Sequence, residues 1–223
     1  MDERYSRNLP AVSEEEQAVL ARRRVLVAGC GGLGGYLIEY LARMGVGEIT
    51  AVDGDLFEPS NLNRQLLAVP SLLRTSKVRA AARRAGEVNP SVKFRAVEAF
   101  LAPHNADALV RGQDLVLDAL DNIPARLLLE DACAAAGVTI VHGAVRGWSI
   151  QAAIVPPGSG VLHSIYGSAA APDEKSALPF TPPFCAAVQA AEAVKLLCGR
   201  PSALEGRLLL ADLGWTDWSV FPL

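Results

Sequence analysis

The chain carries only four cysteines in 223 residues, Cys30, Cys133, Cys185 and Cys198, all widely separated. That excludes a disulfide-stapled scaffold, and the apolar flanks of these residues point to buried thiols in a reducing compartment. No apolar run reaches about 18 residues, so the sequence offers no membrane-spanning helix. An excess of positive charge is also missing. The net charge is −3 and the pI about 5.7, which argues against a broad nucleic-acid surface, since that needs a basic face. The clusters "ARRRV" at 21–25 and "AARRAGE" at 81–87 read as solvated helix faces or element ends. The first residues, "MDERYSRNLP", are polar and acidic and do not read as a signal peptide. These absences give the expectation of a cytoplasmic protein.

What is present is a composition 51% hydrophobic and 20% charged, which suits a single α/β domain with a substantial core. Ser13 and Glu16 have capping-box spacing and predict a helix over "SEEEQAVLA". "RVLVAG" (24–29) is a continuous apolar strand of the kind buried in parallel sheets. A helix from Gly34 to Met44 and a strand over 47–53 follow. Residues 75–88 read as a helix, 92–97 as a strand, and 99–113 as a connection with a short helix. Residues 114–120 form a fourth strand. "PARLLLEDACAAAG" is a helix that Gly137 ends, and 138–145 is strand five. This alternation implies right-handed βαβ crossovers and a Rossmann-like, doubly wound, mostly parallel sheet with flanking helices.

After residue 147 the texture changes. "WSIQAAIVPPGSGVLHSIYG" suggests strands with turns, and "SAAAPDEKSALPFTPPF" a long loop of the functional or mobile kind. "CAAVQAAEAVKLLCG" is an Ala-rich helix, and the chain finishes in a β extension of one or two strands. With no repeat and no clean linker, 1–223 reads as one domain with halves 1–147 and 148–223.

Gly29, Gly31 and Gly34 match G-x-G-x-x-G between a strand and a helix, where bare backbone N–H groups approach a phosphate at a helix N-terminus. Asp53, 19 residues beyond Gly34, suits a carboxylate that accepts hydrogen bonds from ribose hydroxyls. The motif does not separate NAD, FAD, S-adenosylmethionine and ATP, and a tight turn with no ligand is the bland alternative.

The residues after the second strand narrow the choice. "DGDLFEPSNLNRQLL" places Asn61, Asn63, Arg64 and Gln65 where the carboxyl ends of the strands form a ligand crevice. Arg64 offers a bidentate fork for phosphate, and Lys77 opens the next helix within reach of the same anion. Two cations beside a glycine turn suit a triphosphate better than a dinucleotide. "DLVLDALDN" puts Asp118, Asp121 and Asn122 at a strand's carboxyl end, where a carboxylate holds Mg²⁺ together with phosphates. The competing reading of Asp121 is a helix N-cap.

Together "RYSRN", "GCGGLGG", "VDGD", "SNLNRQ", "SKV", "LDALDN" and "QAAEAVKLL" resemble the ThiF/MoeB/HesA family, bacterial relatives of ubiquitin-activating enzymes, over nearly the whole chain. The resemblance implies an ATP-dependent adenylyltransferase acting on the C-terminal Gly-Gly carboxylate of a small ubiquitin-like sulfur-carrier protein, in molybdopterin or thiamine biosynthesis. It makes 1–147 the ATP-binding half and 148–223 the carrier-docking half. Carried over, Gly32 joins Gly29, Gly31 and Gly34 in the phosphate-facing loop, and Asp53 binds the ribose. Ser60, Asn61, Arg64 and Lys77 serve the nucleotide and its phosphates. Asp121 holds Mg²⁺ with Asn122 beside it, and Arg7 reaches across a homodimer into the partner's site. A sulfur donor such as a cysteine desulfurase then serves the activated carrier.

Two departures stand out. Family members often carry two C-x-x-C pairs for zinc, but "GSGVLHSIYGSA" holds His163 and no cysteine, so no zinc is expected. The loop before the last long helix also lacks a cysteine. Cys185, near that helix's start, is the candidate thiol nucleophile, with inert packing as the alternative. Other readings are carboxylate activation on tRNA or a peptide, a non-catalytic nucleotide-binding scaffold, and an NAD(P) oxidoreductase. The last leaves both phosphate cations without a role.

Overall fold

The computed structural model describes residues 2–167 and 176–223. The apolar runs become strands β1 (Arg24–Ala28), β2 (Glu48–Val52), β3 (Lys93–Val97), β4 (Leu115–Asp118), β5 (Ile140–Arg146), β6 (Ser149–Val155), β7 (Arg207–Asp212) and β8 (Asp217–Pro222). They form one eight-stranded sheet in the order β3-β2-β1-β4-β5-β6-β7-β8. The pairs from β3 through β5 are parallel, whereas β6, β7 and β8 join antiparallel. β5 and β6 pair along their full lengths, from Ile140 with Val155 to Arg146 with Ser149. The boundary at 147 is therefore a hairpin within the sheet rather than a break in it.

Helices α1 (Glu14–Leu20), α2 (Gly32–Met44), α3 (Lys77–Val88), α4 (Ala106–Val110), α5 (Ile123–Ala136), α6 (Val161–Tyr166) and α7 (Thr181–Leu197) cover both faces. Alternate residues of β1 divide between the two cores. Val25 and Val27 pack with α1, α2, α3 and α7, while Leu26 and Ala28 pack with α4, α5 and α6. That two-sided burial is why β1 is apolar at every position except its first residue. Truncating a fully buried side chain here, such as Leu117, to alanine costs about 2–5 kcal/mol.

Local signals explain most element ends. Ser13 and Glu16 form the capping box of α1, and Gly137 closes α5 in the left-handed conformation. α2 begins at Gly32 rather than Gly34, because the glycines of the turn themselves enter the helix. α7 starts at Thr181, with prolines in its first turn, where a missing N–H costs nothing. The 161–166 segment is a helix, not the strand-and-turn texture its sequence suggests. A carboxylate from another helix makes the difference: Glu130 of α5 accepts from the N–H groups of Leu162 and His163 at 3.0 and 2.9 Å. The section 168–175 of the long loop expected before α7 lies outside the described residues.

Candidate nucleotide site

The connection from β1 to α2 has one side chain, Cys30, and it turns inward with 1% exposure. Gly31 and Gly32 are partly exposed, so bare backbone faces outward. Among the described residues no side chain caps the start of α2. The orphan N–H groups of that helix thus face an open position suited to an anion. The tightness of the turn demands glycine. A Cβ on Gly34 would lie 1.9 Å from the Gly29 carbonyl oxygen, and Gly29 itself has φ of +100°.

Four segments converge on this turn. Asp53 accepts from the Cys30 N–H at 2.6 Å and from the Asp55 N–H at 2.7 Å. Burial raises its carboxyl against those two bonds and the nearby Lys77. Ala119, beyond β4, presses on Gly29, and Pro182 of α7 lies against Gly32. Gln65 sits against Gly31; it is buried, and its Oε1 has no hydrogen-bond partner among the described residues. A bare turn, a carboxylate bonded to the turn's own N–H and an amide oxygen at its edge are a chemistry that suits a nucleotide.

Lys77 lies near Asp53 and Cys30 of the turn, Arg64 precedes the Gln65 that touches Gly31, and both cations are already oriented. Arg64 Nη1 donates to the Ser60 carbonyl and to Asn63 Oδ1, both at 2.8 Å. Ser60 itself is exposed. Asn61 is buried, and its Oδ1 accepts from the Glu58 N–H at 3.0 Å, so Asn61 shapes the 3₁₀ turn (Pro59–Asn61) that precedes Arg64. Lys77 is only 6% exposed, and its Nζ meets Asp55 Oδ2 at 2.9 Å. A phosphate at Lys77 shares or displaces the exposed Asp55 carboxylate.

The three polar residues after β4 take separate roles. Asp118 is fully buried and bonded to His142 Nδ1 at 2.7 Å, so it does not face the crevice. Burial alone would raise its carboxyl, but Arg126 and His142 together hold it below the usual carboxylate range. His142 is lowered by its own burial, against the pull of Asp118, and is therefore neutral. Asn122, not Asp121, is the N-cap of α5, its Oδ1 accepting from the Ala125 N–H at 3.0 Å. The N-cap reading of Asp121 is thus corrected; its carboxylate is exposed, and its Oδ1 accepts from Asn122 Nδ2 at 3.4 Å. One carboxylate suffices for Mg²⁺, which takes its other ligands from phosphates and water.

Cys185 lies in the second turn of α7, not at its start. It is fully buried, faces the carbonyls of Ala144 and Gln151, and has its thiol pushed up to about 12 by burial. Such a thiol is protonated at neutral pH, so packing is the role this geometry supports and a nucleophile is not. His163 gives Nδ1 to Glu130 at 2.6 Å. Among the described residues no cluster of three His, Cys, Asp or Glu is placed to hold a metal ion.

Arg7 is at the other end of the molecule. It belongs to a 3₁₀ helix (Glu3–Asn8) whose Tyr5 packs on Gly45 and accepts from Asn89 Nδ2 at 2.8 Å. Gly45 and Asn89 are the C-caps of α2 and α3, which start at the carboxyl edge of the sheet and end at its amino edge. A helix the length of α2 spans about 20 Å, so Arg7 lies well away from the glycine turn of its own chain.

A doubly wound sheet with a bare glycine turn, an acid bonded to that turn and two oriented cations defines a nucleotide-binding domain of Rossmann-like architecture. The family model of the ThiF family matches residues 5–223, and the chain belongs to that family. It is 38% identical over 218 residues to the SAMP-activating enzyme E1 of Haloferax volcanii, covering 94% of this chain and 81% of that protein. It is 35% identical over 224 residues to the sulfur carrier protein adenylyltransferase of Thermus thermophilus, covering 94% and 83%. Against the adenylyltransferase and sulfurtransferase MOCS3-1 of Zea mays the identity is 35% over 218 residues, and the chain spans 47% of that longer protein. The fold matches a crystal structure of E. coli MccB with ATP at a TM-score of 0.85 and 18% identity, over 100% of this chain and 71% of that one.

The glycine turn between β1 and α2 was legible in the sequence; Pro182 against it and the buried partners of Asp118 were not. The proline pair in "TPPF" was the one local signal for the former. For the latter there was none, since His142 and Tyr166 lie far along the chain.

Proposed function

We propose that the chain is an ATP-dependent adenylyltransferase that activates the C-terminal Gly-Gly carboxylate of a ubiquitin-like sulfur-carrier protein of the molybdopterin or thiamine type. The observation that carries this is the pairing of Arg64 and Lys77 with a bare helix N-terminus. In the reaction a carboxylate oxygen of the carrier attacks the α-phosphorus of ATP. The bond to the bridging oxygen breaks, and pyrophosphate leaves with its electron pair. No proton moves, so the site needs positioned cations more than a base. The glycine turn receives phosphate oxygens, Asp53 orients the ribose, and Arg64 and Lys77 gather the charge of the departing pyrophosphate. Asn61 and Ser60 hold the Arg64 turn, while Asn122 holds the base of the Asp121 loop. Mg²⁺, held by Asp121, supplies neutralisation of phosphate charge.

Arg7 serves the partner's site in a homodimer, a reading supported by its position at the amino edge of the sheet. The carrier docks on the 148–223 half. There Trp148, Trp215, Trp218, Val220 and Phe221 are exposed, and an exposed apolar patch of this kind marks a protein contact. Trp148 and Trp215 also line a recess with Asp212, Leu213 and Gly214. A sulfur donor such as a cysteine desulfurase consumes the acyl-adenylate. No zinc is required. No helix among the described residues is long and apolar enough to cross a membrane.

The test is ATP–pyrophosphate exchange with a Gly-Gly carrier, with tRNA, and with neither. Carrier-dependent exchange supports the proposal. Exchange that answers only to tRNA, or tight ATP binding with no exchange, overturns it.

A further inference from the structure

Leu120, the residue before Asp121, has both of its backbone polar groups held by side chains. Its N–H donates to Asp118 Oδ1 at 2.9 Å, and its carbonyl accepts from Arg126 Nη2 at 2.7 Å. On the other side of Asp121, the N-cap bond of Asn122 fixes the chain. Asp121, exposed and accepting at Oδ1 from Asn122 Nδ2 at 3.4 Å, therefore sits in a loop pinned at both ends.

The two pins on Leu120 are buried and interlocked. Arg126 is 8% exposed and Asp118 fully buried, with Arg126 Nε 3.4 Å from Asp118 Oδ2. Arg126 Nη1 donates to Tyr166 Oη at 3.1 Å, and the guanidinium lies 5.1 Å from the centre of that ring. Tyr166 in turn meets His142 Nε2 at 3.1 Å and accepts from Gln151 Nε2. Since Asp118 accepts from His142 Nδ1, Nε2 is the acceptor on the ring, and Tyr166 donates to it. A buried ion pair adds little net stability, because desolvation offsets the attraction. Rigid placement of a neighbouring ligand gives this one a role.

We infer that Arg126 is a positioning residue for the metal of MgATP: with Asp118 and Tyr166 it presets the loop that presents Asp121. This rests on the proposed reading of Asp121. Two variants test it, Arg126→Gln, which removes the fork, and Tyr166→Phe, which removes only the hydroxyl that Arg126 Nη1 holds. The first readout is the gain in ATP affinity on adding Mg²⁺, measured by calorimetry on the intact chain. The second is amide hydrogen exchange over 119–122 without nucleotide.

Arg126→Gln is expected to reduce the Mg²⁺-dependent gain about tenfold, the usual effect of removing a partner behind a metal ligand. ATP binding without Mg²⁺ stays as in the parent, and the Leu120 amide exchanges faster. Tyr166→Phe shifts both readouts in the same direction by less, and it decides the matter if Arg126→Gln does not fold. An unchanged Mg²⁺-dependent gain in the folded variants overturns the inference. Asp121→Asn separates the two failures: if it too leaves the gain unchanged, the metal reading of Asp121 falls, and the positioning role with it.

Discussion

Gly34 and Gly29 approach so closely that a Cβ on Gly34 would stand 1.9 Å from the Gly29 carbonyl oxygen. The β1–α2 turn closes only because position 34 is bare, and the bare turn is what leaves the α2 N-terminus open to phosphate. Gly34→Ala forces the turn apart. We expect a loss of stability of about 2 kcal/mol or more, read by chemical denaturation, and loss of ATP binding by calorimetry even in the folded fraction. Parent-like ATP affinity in the variant would contradict the role of the turn.

The Arg64 guanidinium is oriented through Nη1 by the Ser60 carbonyl and Asn63 Oδ1, and in the proposed reaction its Nε and Nη2 edge meets the phosphates. Arg64→Ala should lower the exchange rate about a hundred- to a thousandfold, as for removal of a donor to developing charge. Arg64→Lys should not restore it, because a point charge does not reproduce a bidentate fork. The thermal midpoint stays within a few degrees of the parent, since the residue is partly exposed.

Arg7 and the glycine turn of one chain lie at opposite edges of the sheet. Arg7→Ala and Arg64→Ala should each be inactive alone. Mixed and allowed to exchange subunits, they should regain part of the activity through dimers with one intact composite site. No recovery after demonstrated subunit exchange would remove the in-trans role.

His142 is buried neutral, with its pKa lowered from 6.5 by desolvation. The unfolded chain therefore binds a proton at this residue more readily than the folded one. Stability rises with pH wherever the unfolded state holds more protons, so this contribution is present above about 6.5 and is lost as pH falls below it. The urea midpoint should decline between pH 7.5 and 5.5, and His142→Gln should flatten that slope. An unchanged slope in the variant would show that His142 is not its source.

These tests rest on features of unequal visibility in the sequence. The parallel strands were legible because burial on both faces makes them continuously apolar, as in Val25–Ala28. The glycine turn, Arg64 and Lys77 were legible because each belongs to a short run whose chemistry depends on spacing alone. Helix α6 was not, because its N-terminus is capped by Glu130, distant in sequence. Nor was the division of labour among Asp118, Asp121 and Asn122, which nothing local distinguishes. Only the fold shows that Asp118 points inward to His142 and Arg126, that Asn122 caps α5, and that Asp121 is exposed between them. Cys185 was ambiguous for the same reason, since a helix start favours reactivity but full burial removes it.

The most direct measurement of the central claim is the intact mass of a Gly-Gly carrier incubated with the protein, ATP and Mg²⁺ under rapid quench. The expected product is a carrier bearing one AMP as a mixed anhydride at its C-terminal glycine, absent with Arg64→Ala and absent when the terminal carboxylate is amidated. A carrier that stays unmodified while the protein binds ATP would contradict the claim, as would AMP attached to an amidated carrier.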